Sequence, residues 1–143
     1  MANEAQINVS LRIQNGNFGY QSSSGAYTAN VAGTFGPTPG AVTVSVSGTS
    51  ISLAGLSAMG GLIILKNYDP TKSVRWGIED SVTNHFIPIG RLLPGETQIF
   101  RLDNSFGEYE ATAGTGTFTG STVSLYMKAQ GGNCVVFVGA FNP

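Results

Sequence analysis

The sequence predicts an all-β protein, an antiparallel β-sandwich of jelly-roll-like form with eight to ten short strands. Three observations carry that prediction. Apolar residues recur with period two in segment after segment. Clusters of Gly, Asn, Asp, Ser and Pro separate these segments at intervals of roughly 8 to 12 residues, and no window shows a capped helix of period 3.6. With 143 residues and 41% hydrophobic content the chain can build one core but not two, so residues 1–143 are read as a single domain.

The elements follow in order. Ile7, Val9, Leu11 and Ile13 alternate with Gln6, Asn8, Ser10 and Arg12, the pattern of a half-buried strand. Val42, Val44 and Val46 alternate with Thr43, Ser45 and Ser47, and Ile51 with Leu53 repeats the period. "GLIILKN", "SVRWGIE", "HFIPIG", "TQIFRL", "STVSLYMKA" and "CVVFVGAF" complete the series, each bounded by turn-forming residues. The unbroken "LIIL" predicts a strand buried on both faces. In "SVRWGIE", Val74, Trp76 and Ile78 share one face and Arg75 and Gly77 the other. Between the early strands two extended loops are expected, near 14–25 ("QNGNFGYQSSSG") and 33–41 ("GTFGPTPGA"). Both are rich in small residues, and the second carries Pro37 and Pro39. In "NYDPTK", Pro70 suits the i+1 position of a type I turn that the Asp69 side chain can cap, and Trp76 supplies buried area on the returning strand.

Charge and composition exclude several functions. Charged residues make up 10% of the chain, the net charge is -1, and the seven Lys and Arg are scattered singly, so no basic stripe exists to follow a nucleic-acid backbone. No apolar run reaches the roughly 18 residues of a membrane span. "MANEAQINVS" has neither the basic nor the apolar region of a secretion signal. Cys134 is the single cysteine; within "NCVVFVGAF" it reads as a small buried hydrophobe rather than a reactive thiol.

No catalytic constellation, cofactor site or metal site emerges. His85 is the single histidine, so His-based metal clusters cannot form, and beside Phe86 it reads as an ordinary polar strand residue. Glu79 and Asp80 are adjacent on a strand and face opposite ways, against a paired-carboxylate site. Asp103, Glu108 and Glu110 read as solvated loop carboxylates rather than a cation site. Neither "GGLIILKNYDPTKSVRWGIED" nor "GTGTFTG" has the strand, glycine spacing and helix of a dinucleotide fingerprint. Asn8-Val9-Ser10 matches a glycosylation sequon but lies within an expected strand.

What remains points to contacts with other proteins. A glycine-rich loop cannot bury Phe18 and Tyr20 locally, which makes them candidate anchors on another subunit; Phe35 in the second loop and Arg75 on its strand's outer face join them. A lectin-like module, binding glycans through a shallow aromatic and amide site, is the alternative from a different class.

"MANEAQINVSLRIQNGNF", "GLIILKNYDPTKSVRWGIED", "FIPIGRLLPGETQIFRL" and the closing strand together resemble a family of small structural proteins of tailed bacteriophages. That family has a Met-Ala-Asn-Glu-like start, an Asn-Gly-Asn-Phe-like loop, an apolar strand running into Lys/Arg-Asn, a Trp-Gly pair and a Leu-x-Pro-Gly-Glu hairpin. The hairpin is matched here by Leu93, Pro94, Gly95 and Glu96 without the intervening residue. The resemblance covers roughly the first two thirds of the chain, and after Asp103 the sequence runs longer than the family's ending. It implies a non-enzymatic virion component, a capsid decoration or cement protein on the capsid exterior, made in the host cytoplasm. Its partners would be the major capsid protein or other virion proteins, it would form a homo-oligomer with a trimer favoured, and neck or tail is the other virion location. Pro70, Trp76, Pro94 and Gly95 are then structural residues, and no cofactor, nucleic acid or membrane is implied.

Overall fold

The computed structural model describes residues 4–30, 38–52, 62–80, 84–101 and 123–141. The described residues are all-β and contain no helix. Ten strands follow one another: β1 (Glu4–Asn15), β2 (Phe18–Asn30), β3 (Thr38–Val44), β4 (Thr49–Ile51), β5 (Leu62–Asn67), β6 (Ser73–Asp80), β7 (His85–Leu92), β8 (Thr97–Arg101), β9 (Val123–Gln130) and β10 (Cys134–Phe141). Every pairing is antiparallel.

Three sheets result. β1 and β2 form a two-stranded sheet of their own; sheet one has the order β3-β10-β5-β8, and sheet two β4-β9-β6-β7. Alternation decides which side chains meet. On sheet one, Val44, Ile63, Leu65, Cys134, Val136, Val138 and Ala140 are buried; on sheet two, Ile51, Val74, Leu92, Leu125, Met127 and Ala129 are. These thirteen side chains form one core cluster drawn from both sheets, with Val42, Trp76 and Phe100 packed against it. β5 is buried along nearly its whole length, as its unbroken apolar run requires.

The segment near 14–25 is not an extended loop. Gly16 and Asn17 make a two-residue turn, and residues from Phe18 onward are the second strand of a hairpin whose register runs from Asn15↔Phe18 to Glu4↔Asn30. Gly16 takes φ 57 at the first central position, the requirement of a II′ turn whose twist suits the flanking strands. β2 escapes detection by periodicity because "GYQSSSG" has almost no apolar residues; β1 supplies the template.

The second expected loop, 33–41, overlaps a strand. Thr38–Val44 is a strand, so Thr38 to Ala41 belong to β3, while Phe35 and Pro37 lie outside the described residues. Pro39 is tolerated within it because β3 is an edge strand. Leu53 also lies outside the described residues, and β4 ends at Ile51.

At one end of the body the chain passes between the two sheets through four short turns, at 45–48, 68–72, 93–96 and 131–133. Hydrogen bonds tie these turns to one another. The amide of Val46 donates to Asn133 Oδ1 (3.2 Å), Lys72 Nζ donates to the Asn133 carbonyl (2.9 Å), and the Gly95 amide donates to the Asp69 carbonyl (3.2 Å).

Candidate functional site

The hairpin β1–β2 is the most exposed apolar structure described. Period two places Val9, Leu11 and Ile13 on one face, and the register sets Phe18 opposite Asn15 and Tyr20 opposite Ile13, so all five share that face. Each is between 44 and 62% exposed. Ile7 alone among the described side chains of the hairpin is buried. Neither strand pairs with sheet one or sheet two. A shallow pocket at the tip is lined by Arg12, Ile13, Asn17, Phe18 and Tyr20. The sequence of Glu4–Asn30 holds only two charged residues, Glu4 and Arg12. A two-stranded hairpin is marginal in water by itself.

The other sequence-derived residues are not gathered there. Trp76 packs against the core cluster. Its indole stacks on Phe100 of sheet one with centroids 4.6 Å apart and planes 4° apart, and Nε1 donates to Gln98 Oε1 at 2.7 Å. Gly90, its cross-strand partner, makes room, since a Cβ there would stand 2.6 Å from the indole. Gly77 faces the β7 backbone at a register shift, and a Cβ on it would lie 2.0 Å from the Ile87 carbonyl oxygen. Trp76 thus fastens one sheet to the other.

Pro70, Pro94 and Gly95 sit in the tied end. Asp69 Oδ1 accepts from the amides of Thr71 (2.9 Å) and Lys72 (2.8 Å) and from the Thr71 hydroxyl (3.1 Å), and Lys72 Nζ lies 3.5 Å from Oδ2. Pro94 and Gly95 are the central residues of a turn closed by the Glu96 amide donating to the Leu93 carbonyl (3.1 Å); Gly95 has φ 72, which makes the turn type II. Glu96 Oε2 accepts in return from the Leu93 amide.

Asn67, a residue that sequence reasoning passed over, organises this end. It is fully buried; Nδ2 donates to the carbonyls of Lys72 (2.7 Å) and Leu93 (3.1 Å), and Oδ1 accepts from the Asp69 amide (3.0 Å). Its backbone amide also donates to the Glu96 carbonyl (2.9 Å). A buried Asn at the end of an apolar strand looks in sequence like any turn-forming Asn.

The backbone amides of Thr71 and Lys72, with the Lys72 charge a smaller contributor, hold the Asp69 carboxyl below its ordinary value of 3.8. A carboxylate depressed on folding stabilises the native state above its unfolded value, and that contribution is lost as pH falls through the folded value. Wild type is therefore expected to lose stability below the ordinary carboxylate range. Asp69→Asn should melt lower than wild type at pH 7, and the gap should narrow as the pH is taken below the ordinary carboxylate value of 3.8. Thermal unfolding at neutral and acid pH checks this; a gap unchanged in acid would show that the carboxylate charge is idle.

Cys134 is buried, and desolvation together with Asp69 raises its thiol pKa, which disfavours the thiolate. His85 is exposed on an edge strand. Among the described residues no group of three or more His, Cys, Asp or Glu side chains is arranged to hold a metal ion. Arg75 lies on the outer face of sheet two, on the opposite side of β6 from Trp76. Phe35, Asp103, Glu108 and Glu110 fall outside the described residues. The chain matches no family model, no curated protein and no solved structure.

Proposed function

We propose that this chain is a non-enzymatic structural protein of a tailed-bacteriophage virion, a capsid decoration or cement protein that binds the outside of the shell through protein–protein contacts. The observation that carries the reading is the β1–β2 hairpin, a separate arm whose strands, among the described residues, pair with each other and not with the two larger sheets, and whose apolar face is exposed. The sequence resemblance to small phage structural proteins supports the same class. Phe18 and Tyr20 are the anchors. Copies of the chain, three around a cyclic axis by preference, would bury the arm face against one another or against the major capsid protein.

The finer reading of the fold is a jelly-roll sandwich. Counting the body strands from β3, the first pairs with the eighth, the second with the seventh, the third with the sixth and the fourth with the fifth. That nesting supports a single long hairpin rolled over itself into two facing sheets, an architecture common in capsid and lectin domains.

Binding to shells stripped of their outer proteins, taken from the source that encodes the chain, tests the function. The wild-type protein should bind and raise the heat resistance of the particle. Phe18→Ala with Tyr20→Ala should weaken binding more than tenfold, each anchor contributing about 2 kcal/mol, while the unfolding midpoint of the body stays in place. Absence of shell binding, or full occupancy by the double variant, would overturn the reading. Glycan binding by the isolated protein without shell binding would favour the lectin-like module instead.

A further inference from the structure

Register brings together three cations that are far apart in sequence. Arg75 of β6 lies opposite Arg91 of β7 on one side and Lys128 of β9 on the other. Their chain neighbours point inward: Val74, Leu92, Met127 and Ala129 are buried in the core, and Trp76 packs against it. The three therefore stand in one row on the outer face of sheet two, with neighbouring Cβ atoms about 5 Å apart. Like charges directly opposite one another destabilise a sheet. In a chain with only seven Lys and Arg and a net charge of -1, three in one row is a marked concentration.

Nothing described nearby neutralises the row. Asp69 is engaged in its own turn with Lys72, and Glu96 with Leu93 and Gln98. Glu79 is four residues along β6 from Arg75, about 13 Å away at strand spacing, and sits against the Tyr126 hydroxyl. The flanking positions Ser73 and Gln130 bond to each other at 3.0 Å. Meanwhile Nε of Arg75 is buried and has no hydrogen-bond acceptor among the described residues. A buried donor left without an acceptor is costly, and an unpartnered guanidinium N–H flanked by two further cations calls for an anion.

We infer that the outer face of sheet two binds a compact multivalent oxyanion across Lys128, Arg75 and Arg91. A guanidinium presents paired N–H donors that match phosphate or carboxylate oxygens two at a time, and the neighbouring side chains supply the remaining charge. The ligand is a compact cluster of negative charge rather than an extended polyanion. The other four cations do not extend the row: Arg12 is on the hairpin, Lys66 stands over Tyr68, Lys72 is paired with Asp69, and Arg101 is on sheet one. Both a phosphate group and clustered carboxylates of an acidic protein loop carry this chemistry. The site does not depend on the chain being a shell protein.

Titration calorimetry and thermal unfolding with sodium phosphate and sodium citrate, each against sodium chloride of equal ionic strength, test the inference. The wild-type protein should show saturable phosphate or citrate binding; tighter citrate binding assigns the site to carboxylates, tighter phosphate binding to a phosphate group. Arg75→Gln should weaken that binding at least tenfold. Arg91→Gln and Lys128→Gln should weaken it less, and Lys66→Gln should leave it unchanged. In chloride alone, Arg75→Gln should melt no lower than wild type, since it relieves repulsion. Non-saturable stabilisation, the signature of a general salt effect, or equal saturable binding by Arg75→Gln would overturn the site.

Discussion

Trp76→Ala is expected to destabilise the protein by roughly 3 to 5 kcal/mol, the largest effect of any single truncation considered. The indole is the chain's single tryptophan, and it spans from sheet two to sheet one. Truncation removes the stack on Phe100, leaves Gln98 Oε1 without its donor, and opens a cavity that Gly90 opposite cannot fill. Gln98 also donates to the Arg91 carbonyl (2.8 Å) and to Glu96 Oε1 (3.1 Å), so the loss reaches the 93–96 turn. Trp76→Phe should fall between, because it retains ring packing on Phe100 and loses the hydrogen bond. Circular-dichroism melts of both variants check the ranking. An alanine variant within about 1 kcal/mol of wild type would show that the two sheets do not depend on this contact.

Asn67→Ala is expected to cost about 3 kcal/mol although it removes little apolar surface. Its three side-chain bonds satisfy the carbonyls of Lys72 and Leu93 and the amide of Asp69, and truncation strands all three at a buried position. The damage should be localised. Amide exchange should quicken first at Asp69 and in the 93–96 turn, while β9 and β10 keep their protection. Denaturant unfolding with unchanged cooperativity would confirm the magnitude, and a loss below 1 kcal/mol would mean that water replaces the amide without penalty.

How far this architecture can be read in sequence depends on what each residue faces. Strands β6 and β9 announce themselves because Val, Trp, Ile, Leu and Met at their inward positions alternate with mostly polar residues, and β5 and β10 because they are nearly unbroken apolar runs. β2 does not, since its partner is a single strand rather than a core; "QSSSG" has nothing to alternate against. The turn at Asp69 and Pro70 is legible because its chemistry is local, contained within four residues. The role of Asn67 is not, because one of its three partners, the Leu93 carbonyl, belongs to another turn 26 residues along the chain. Arg75 is recognisable as an outward residue from period two alone. That Arg91 and Lys128 flank it depends on which strands become neighbours, and periodicity is silent about neighbours.

The nesting of the strands has a consequence for synthesis on the ribosome. β1 and β2 pair across a two-residue turn, so the arm can form as soon as its thirty residues emerge. β3 must wait. Its ladder partner among the described residues is β10, with Val44 opposite Cys134, about ninety positions later. Until that last strand is made, β3 has an unpaired edge and the inward faces of Val42 and Val44 have no cover from β10. Contacts of such long sequence separation form slowly, and exposed strand edges invite pairing between nascent chains. Slowing translation should therefore do little for yield, whereas truncation just before Cys134 should send the chain to aggregates.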